Sequence, residues 1–423
     1  MIAVLGSAWA LFLGMGLLMV GNGMQGTLLG VRGEIEGFST FSLSLVMSAY
    51  FLGFLGGSRM APEMIRRVGH VRVFAALASF ISAVLILFPS ITEPWAWIAL
   101  RIVIGFCFSG VYVTAESWLN NATTSENRGQ ALSVYMIVQM SGIVAAQALL
   151  VTGDPSGFIL FVIPSVLVSM SFAPILLSIT PTPPFQKTKS MSLVRLFHLS
   201  PLGCVGMFLS GGMYAAQVSM AAVYATQAGF RVAEVGTFVG AIFLGGLLFQ
   251  YPVGWISDRI DRRVLILSCS VVGAFACLAG VLLPATLTVV VSVGFVMGGM
   301  INPLYALLVS YTNDYLEYED MAAASGGLVF INGMGAILGP IAIGAMMTRI
   351  GPEGFWLFVM VLLVLLAAYA AYRMTRRAAP SASETGAYVA VTPSVSRYSI
   401  AAGQEWAERQ DDKTDEKLVE KEE

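Results

Sequence analysis

The chain has 423 residues, of which 57% are hydrophobic and only 11% are charged, with a formal net charge of −2. A soluble domain carries about 25% charged residues, so a water-soluble fold is excluded and an integral membrane protein is expected. The near-neutral balance, with no basic patch, also argues against a nucleic-acid partner, and the lipid bilayer is the expected surrounding.

A transmembrane helix takes roughly 20 mostly apolar residues. Stretches of that length fall at 4–30, 38–60, 71–92, 95–118, 128–151 and 157–179, then at 201–226, 232–256, 263–284, 287–311, 320–347 and 353–374. The first Lys or Arg is Arg32, so the positive leader of a signal peptide is missing and the first stretch reads as a retained span. Spans three and four part at "SITEPW", around Glu93 and Pro94. "TPTPPFQKTKSMSLVRLFHLS", residues 180–200, is a polar cytoplasmic connection rich in proline. It separates an N-terminal six-helix half (1–179) from a C-terminal one (201–375). Residues 376–423 end in "EWAERQDDKTDEKLVEKEE", a charge run expected to form a disordered cytoplasmic tail. The expected fold class is all-α integral membrane, with twelve transmembrane helices in two pseudo-symmetric six-helix halves.

Orientation follows from the basic residues. One set of loops carries Arg59, Arg66, Arg67, Arg72, Arg128, Lys187, Lys189, Arg195, Arg259, Arg262, Arg263, Arg373, Arg376 and Arg377. The opposite set carries Arg32, Arg231 and Arg349. Both termini are therefore expected in the cytoplasm of a cell with the protein in its inner (plasma) membrane. The cysteines Cys107, Cys204, Cys269 and Cys277 lie in apolar stretches and read as packing residues. His70 and His198 are far apart, so neither a metal site nor a cofactor is expected.

A shift of 192 residues sets "IRRVGHVRV" (65–73) on "SDRIDRRVL" (257–265) and Gln25 on Gln217, the mark of an internal repeat. "GWISDRIDRR" (254–263) then carries the G-x-x-x-D-(R/K)-x-G-(R/K)-(R/K) signature in Gly254, Asp258, Arg259, Arg262 and Arg263, with Asp261 in place of the second glycine. In the first-half copy Pro62 and Arg66 replace the glycine and the acid, while Arg67 and Gly69 remain. On these residues the chain resembles the major facilitator superfamily over about residues 1–375. "RIVIGF" (101–106) and "ESWLNNATTSENRGQALSVYM" (116–136) resemble its YcaD-like bacterial subgroup.

The resemblance implies alternating access around a midplane cavity lined by spans one, four, seven and ten, and a monomer. It also implies a cytoplasmic gate of charge pairs, for which Arg66, Arg67, Arg72, Arg128, Asp258, Arg259, Arg262, Arg263 and Asp314 are the candidates. The residues alone leave a second reading open, a topology marker obeying the positive-inside rule. Asp258 is expected to cap the helix that follows it, and the arginines to reach headgroups or helix carbonyls.

Polar groups within spans are functional candidates by default. Asn22 and Gln25 in span one, Tyr214 and Gln217 in span seven, and Asn302 and Tyr305 in span ten are each three apart and so share a helix face. Arg101, Tyr112 and Glu116 share a face of span four, with Arg101 and Glu116 about 22 Å apart along its axis. These uncharged groups with Tyr112 and Glu116 form the candidate substrate cavity. Glu116 reads either as the proton-coupling carboxyl or as a partner of Arg128. Arg101 reads either as a functional polar group of span four or as a cation snorkelling to the outer interface beside Trp95 and Trp97.

No phosphate loop or nucleophile–base arrangement is present, so no catalytic residue is named and the chain is not expected to be an enzyme. The reading is a secondary active transporter of a small solute of unknown identity, with protons as the candidate coupling ion. The alternatives are a multidrug or amphiphile efflux antiporter and a solute sensor that signals without transport.

Overall fold

In a computed structural model the chain is described over residues 2–122, 128–177, 191–376, 388 and 391. The N-terminal half comprises α1 (Ile2–Ile35), α2 (Thr40–Val68), α3 (His70–Leu87), α4 (Pro94–Ala122), α5 (Arg128–Leu150), α6 (Ile159–Ser171) and the short α7 (Ala173–Leu177). After the short α8 (Leu193–Leu199) come α9 (Pro201–Ala215), a π turn (Ala216–Met220) and α10 (Ala221–Gln227). The chain continues through α11 (Val232–Ser257), α12 (Arg262–Leu282), α13 (Leu287–Asn313), α14 (Tyr318–Ile350) and α15 (Gly354–Met374).

Among the described residues eleven helices are long and apolar enough to cross a membrane, or twelve with the bent pair Leu193–Leu199 and Pro201–Gln227, angled at 112°, taken as one span. Helix α8 lies inside the stretch 180–200 that reads as a connection. Its apolar Leu196 is buried against Gly327 of α14, which holds it to the bundle. Residues 178–190, with Lys187 and Lys189, lie outside the described residues.

The duplication is written into the backbone. Gly37 (φ 75°) and Gly229 (φ 84°), 192 residues apart, end α1 and α10 in the same way. In each, the glycine N–H and the next N–H reach back to close the last turn (Gly37 to Glu34 O and Phe38 to Gly33 O; Gly229 to Thr226 O and Phe230 to Ala225 O). This closure needs a left-handed residue, which only glycine adopts without strain. The following helices are then capped by local side chains, Ser39 accepting the Ser42 N–H and Glu234 accepting the Arg231 N–H.

Each half contains a helix crossing built on glycine. A Cβ placed on Gly53 of α2 would lie 2.0 Å from the Ile102 carbonyl oxygen of α4, and one on Gly105 would lie 1.9 Å from that of Tyr50. The C-terminal half repeats this at α11 and α13, where Gly245 meets Phe295 O at 2.0 Å and Gly298 meets Ile242 O at 2.1 Å. Without a hydrophobic force between helices in lipid, such close backbone approach supplies the packing.

The halves meet mainly through α2 on α14, α5 on α11 and α1 on α10. Their contacts cluster towards the end where α1 finishes and α2 begins. There Gln227 donates to Glu34 and Thr40 at 2.7 Å, Gly344 packs on Ser44, and further in Ser48 donates to Ile337 O.

Candidate substrate cavity

Between the halves lies a cavity. Its walls come from α1 (Asn22), α2 (Tyr50, Phe51, Phe54, Leu55, Ser58), α4 (Tyr112), α9 and its π turn (Tyr214, Val218) and α14 (Val329, Asn332, Gly333, Ala336). The aromatic rings of Tyr50, Phe54 and Tyr112 lean on one another, with centroids 6.0 Å apart for each of the pairs Tyr50–Phe54 and Phe54–Tyr112. The lining is apolar and aromatic with a few polar points, the usual make-up of a small-molecule site.

Of the candidates from sequence, Asn22, Tyr112 and Tyr214 line this cavity. Behind Asn22 runs a hydrogen-bonded chain through the N-terminal half. Arg101 donates to Gln25 Oε1 (2.9 Å), Gln25 to Asn22 Oδ1 (3.2 Å), and Asn22 to the Tyr112 hydroxyl (2.9 Å). The three-residue spacing of Asn22 and Gln25 stacks them on one face of α1, which lets one chain of contacts span α1 and α4. Glu116, one turn beyond Tyr112, is fully buried and accepts a hydrogen bond from Tyr135 at 3.1 Å. Arg128 begins α5, and its side chain lies outside the described residues.

Arg101 does not snorkel. It is 2% exposed, its guanidinium lies 4.6 Å from the centre of the Tyr50 ring, and its remaining donors reach Val46 O (3.4 Å) and Met47 Sδ (3.6 Å). Trp97 is likewise buried, donating to Phe88 O and Ile91 O, and only Trp95, 70% exposed, sits as an interfacial residue would.

In the C-terminal half Gln217, Asn302 and Tyr305 are buried in the protein rather than set in the wall. Asn302 Nδ2 donates to Gln217 Oε1 (3.2 Å) and Gly298 O (2.9 Å). Gln217 Nε2, Asn302 Oδ1 and the Tyr305 hydroxyl find no hydrogen-bond partner among the described residues. Gln217 sits in the π turn, a distortion often found at functional sites. Confining the search to spans one, four, seven and ten leaves out α2 and α14, which supply nine of the thirteen lining residues. The run "YFLGFL" at 50–55 carries the missed signal, since aromatics on successive turns face a partner or a ligand.

The charged candidates form local networks. Arg66 and Arg67 both pair with Glu63, which the sequence reading did not single out. Arg72 is exposed. Asp258 does not cap the helix that follows; it ends α11 and accepts the Tyr388 N–H at 2.8 Å. Asp261, directly before α12, is the cap and accepts the Arg263 N–H at 2.9 Å. Arg259 lies over the Trp255 ring at 3.9 Å and donates to its carbonyl. Arg262, 3% exposed, donates to Ser310 O and forms a buried ion pair with Asp314 that ties α12 to α13. The partners just named for Arg66, Arg67, Arg259, Arg262 and Arg263 lie in the same half as each arginine. From the predicted tail, Tyr388 packs its ring on Gly254 and takes a hydrogen bond from Gln250 at 2.9 Å; the rest of 376–423, apart from Arg376 and Val391, lies outside the described residues.

Known proteins share this architecture. A protein named "Uncharacterized MFS-type transporter YcaD" from Salmonella newport (strain SL254) is 26% identical over 326 residues, covering 76% of this chain and 83% of that protein. Its counterpart from Salmonella typhi matches to the same extent. Among solved structures, the nucleoside transporter NupG superposes with a TM-score of 0.70 at 16% identity, over 89% of this chain and all of that one. A bacterial homologue of the human lysosomal transporter Spinster, solved inward-facing and unoccupied, gives a TM-score of 0.67 at 14% identity, over 95% and 98% of the two chains. The sequence profile of the Major Facilitator Superfamily matches residues 11–231 and 202–407, and the chain belongs to that family of membrane transporters.

Proposed function

We propose that this protein is a secondary active transporter that moves a small polar solute by alternating access, with both termini in the cytoplasm. The observation that carries the reading is the cavity between the two halves, walled by residues of both. The positive-inside rule assigns the loops with Arg66, Arg67, Arg259, Arg262 and Arg263 to the cytoplasm. The end closed by Gln227, Glu34, Thr40, Ser44 and Gly344 then faces outwards, and the molecule is inward-facing. Both walls come from one chain, so a monomer suffices. The buried ion pair of Arg262 with Asp314 and the Asp258 contacts hold the inner ends of the C-terminal half as one piece, as a gate that moves as a block requires.

Glu116 supports proton coupling. It is a buried carboxyl one turn from a cavity tyrosine, and a carboxyl there can take up and release a proton as the cavity opens to each side. The test is a thermal-stability screen of the purified protein against sugars, amino acids, organic acids, nucleosides and lipophilic cations. Ligand at a hundredfold its dissociation constant stabilises by about 2.7 kcal/mol, and hits go on to flux assays in proteoliposomes. Binding without flux on an imposed gradient would replace transport by solute sensing. Stabilisation by lipophilic cations alone would replace metabolite transport by amphiphile efflux.

A further inference from the structure

Helices α5 and α11 touch near their outer ends. A Cβ on Gly236 would lie 3.1 Å from the Gln147 carbonyl oxygen, and one on Gly240 would lie 3.8 Å from Gln147 Cβ. Gly254 follows Gly236 by 18 residues and Gly129 precedes Gln147 by 18, which is about five full helical turns. Each glycine therefore continues, about 27 Å further inward, the helix face that makes the outer contact, and α11 runs unbroken over that length. When the halves close at the inner side these two faces meet, with a glycine on each. Helices packed through small residues come to about 8–10 Å between axes, which leaves no space for a side chain from another part of the chain.

Such a side chain occupies the place. Tyr388 lays its ring on Gly254, where an added Cβ would stand 2.6 Å from its Cδ1. Its hydroxyl accepts from Gln250 Nε2 at 2.9 Å, and its backbone N–H donates to Asp258 Oδ1 at 2.8 Å. Gln250, Gly254 and Asp258 are four apart and form one stripe of α11, so ring, hydroxyl and N–H are each matched along a single helix face. Val391, 3% exposed, is buried in the core three residues later and gives the segment a second anchor. We propose that the inner part of this α11 face is a docking site for the chain's own C-terminal segment, where Tyr388 competes with α5, so that the inner side closes only after the segment has left. The inference rests on the alternating-access reading and adds a brake to it.

Electron–electron distance measurements on the full chain in nanodiscs test the proposal without a known solute. Spin labels at positions 130 and 260, both exposed, read the inner side, and labels at 36 and 233 read the outer side. Cys107, Cys204, Cys269 and Cys277 are buried and stay unlabelled. Tyr388→Ala should raise the ratio of short to long inner distances at least about tenfold, the effect of losing one hydrogen bond and the packing of one ring. Tyr388→Phe, which loses only the Gln250 bond, should raise it about fivefold. A synthetic peptide of residues 384–395, added to the Tyr388→Ala chain, should restore the long distances, and the same peptide with alanine at position 388 should not. An inner distribution indifferent to Tyr388→Ala, or one that the peptide leaves short at millimolar concentration, would overturn the inference. If the alanine variant does not fold, a Tyr388→Phe distribution identical to wild type does the same. The outer pair keeps the two readings apart. Inner distances that shorten while the outer pair fails to lengthen count against alternating access and leave the docking site standing, whereas a chain that moves solute with its inner pair indifferent to Tyr388 loses the brake alone.

Discussion

Alanine at Gly53 tests the packing that frames the cavity. Its Cβ would stand 2.0 Å from the Ile102 carbonyl oxygen, whereas ordinary contact begins at 3.4 Å. Helices α2 and α4 must therefore part by about 1.4 Å at this crossing, because the obstacle is backbone and has no rotamer to change. Overpacking of this kind costs about 3 kcal/mol at the upper end of its range. Alanine's better helix propensity offsets about 1 kcal/mol, for a net loss of about 2 kcal/mol. Gly56, three residues on, provides the control. Its Cβ would meet a Phe106 ring carbon at 3.7 Å, so Gly56→Ala keeps the propensity gain and should be neutral or stabilising by up to about 1 kcal/mol. Gly105→Ala should cost as much as Gly53→Ala, since its Cβ would lie 1.9 Å from Tyr50 O. The double variant should cost less than the sum by about 1–2 kcal/mol, because one separation of the helices relieves both clashes. Unfolding in mixed micelles with rising dodecyl sulfate reads all four. Gly53→Ala as stable as Gly56→Ala, or strict additivity with Gly105→Ala, would refute the reasoning.

Three further outcomes follow from other contacts. Asp314→Asn takes from Arg262, 3% exposed, its buried acid and leaves the half-exposed Asp258 at 3.9 Å, so it should destabilise by about 3 kcal/mol, the lower end for a broken buried pair, whereas Arg66→Ala, at an exposed pair, should leave the melting temperature unchanged; equal effects would contradict the burial argument. Gln227→Ala removes hydrogen bonds to Glu34 and Thr40 across the halves, about 1 kcal/mol each, and should broaden the spin-label distance between positions 36 and 233 towards longer values, an unchanged distribution counting against closure at that end. Glu116→Gln should abolish accumulation driven by a pH gradient and spare equilibrium exchange; accumulation at the wild-type rate would dismiss Glu116 as the proton carrier.

The spans were legible because hydropathy over twenty residues needs no partner to interpret, and the repeat because Gln25 and Gln217 sit at equal depth in related helices. The same offset places Gly37 on Gly229 and Gly53 on Gly245, pairs that stand in the sequence but have no meaning until a turn and a crossing are seen. Arg101 misled for a physical reason. Its distance from Trp95 is short enough to snorkel, and nothing local says that Tyr50 and Gln25, on other helices, close over it. Asp258 and Asp261 stand three apart in "DRIDRR", and which one caps α12 depends on where α11 ends, a boundary that periodicity leaves loose. The cavity wall on α2 and α14 was hidden because the aromatics of α2 read equally well as lipid-facing, and Val329, Gly333 and Ala336 of α14 as ordinary helix packing.

The duplicated frame and the unduplicated chemistry have different consequences. Gly53 with Gly105 and Gly245 with Gly298 give the two halves the same rigid crossing, so each can move as a block against the other with little internal repacking. The polar groups inside the blocks are not alike. In the N-terminal half the carbonyl of Gln25 is taken by the cation of Arg101; in the C-terminal half that of Gln217 is taken by the neutral amide of Asn302. The residue matching Arg101 in the repeat, at an offset of 193 between α4 and α13, is Gly294, packed against Phe238. One half therefore buries a charge behind the cavity wall, and the other buries an amide donor, an amide acceptor and the Tyr305 hydroxyl that find no hydrogen-bond partner among the described residues. The two halves thus share a mechanical frame but not the polar groups buried within it.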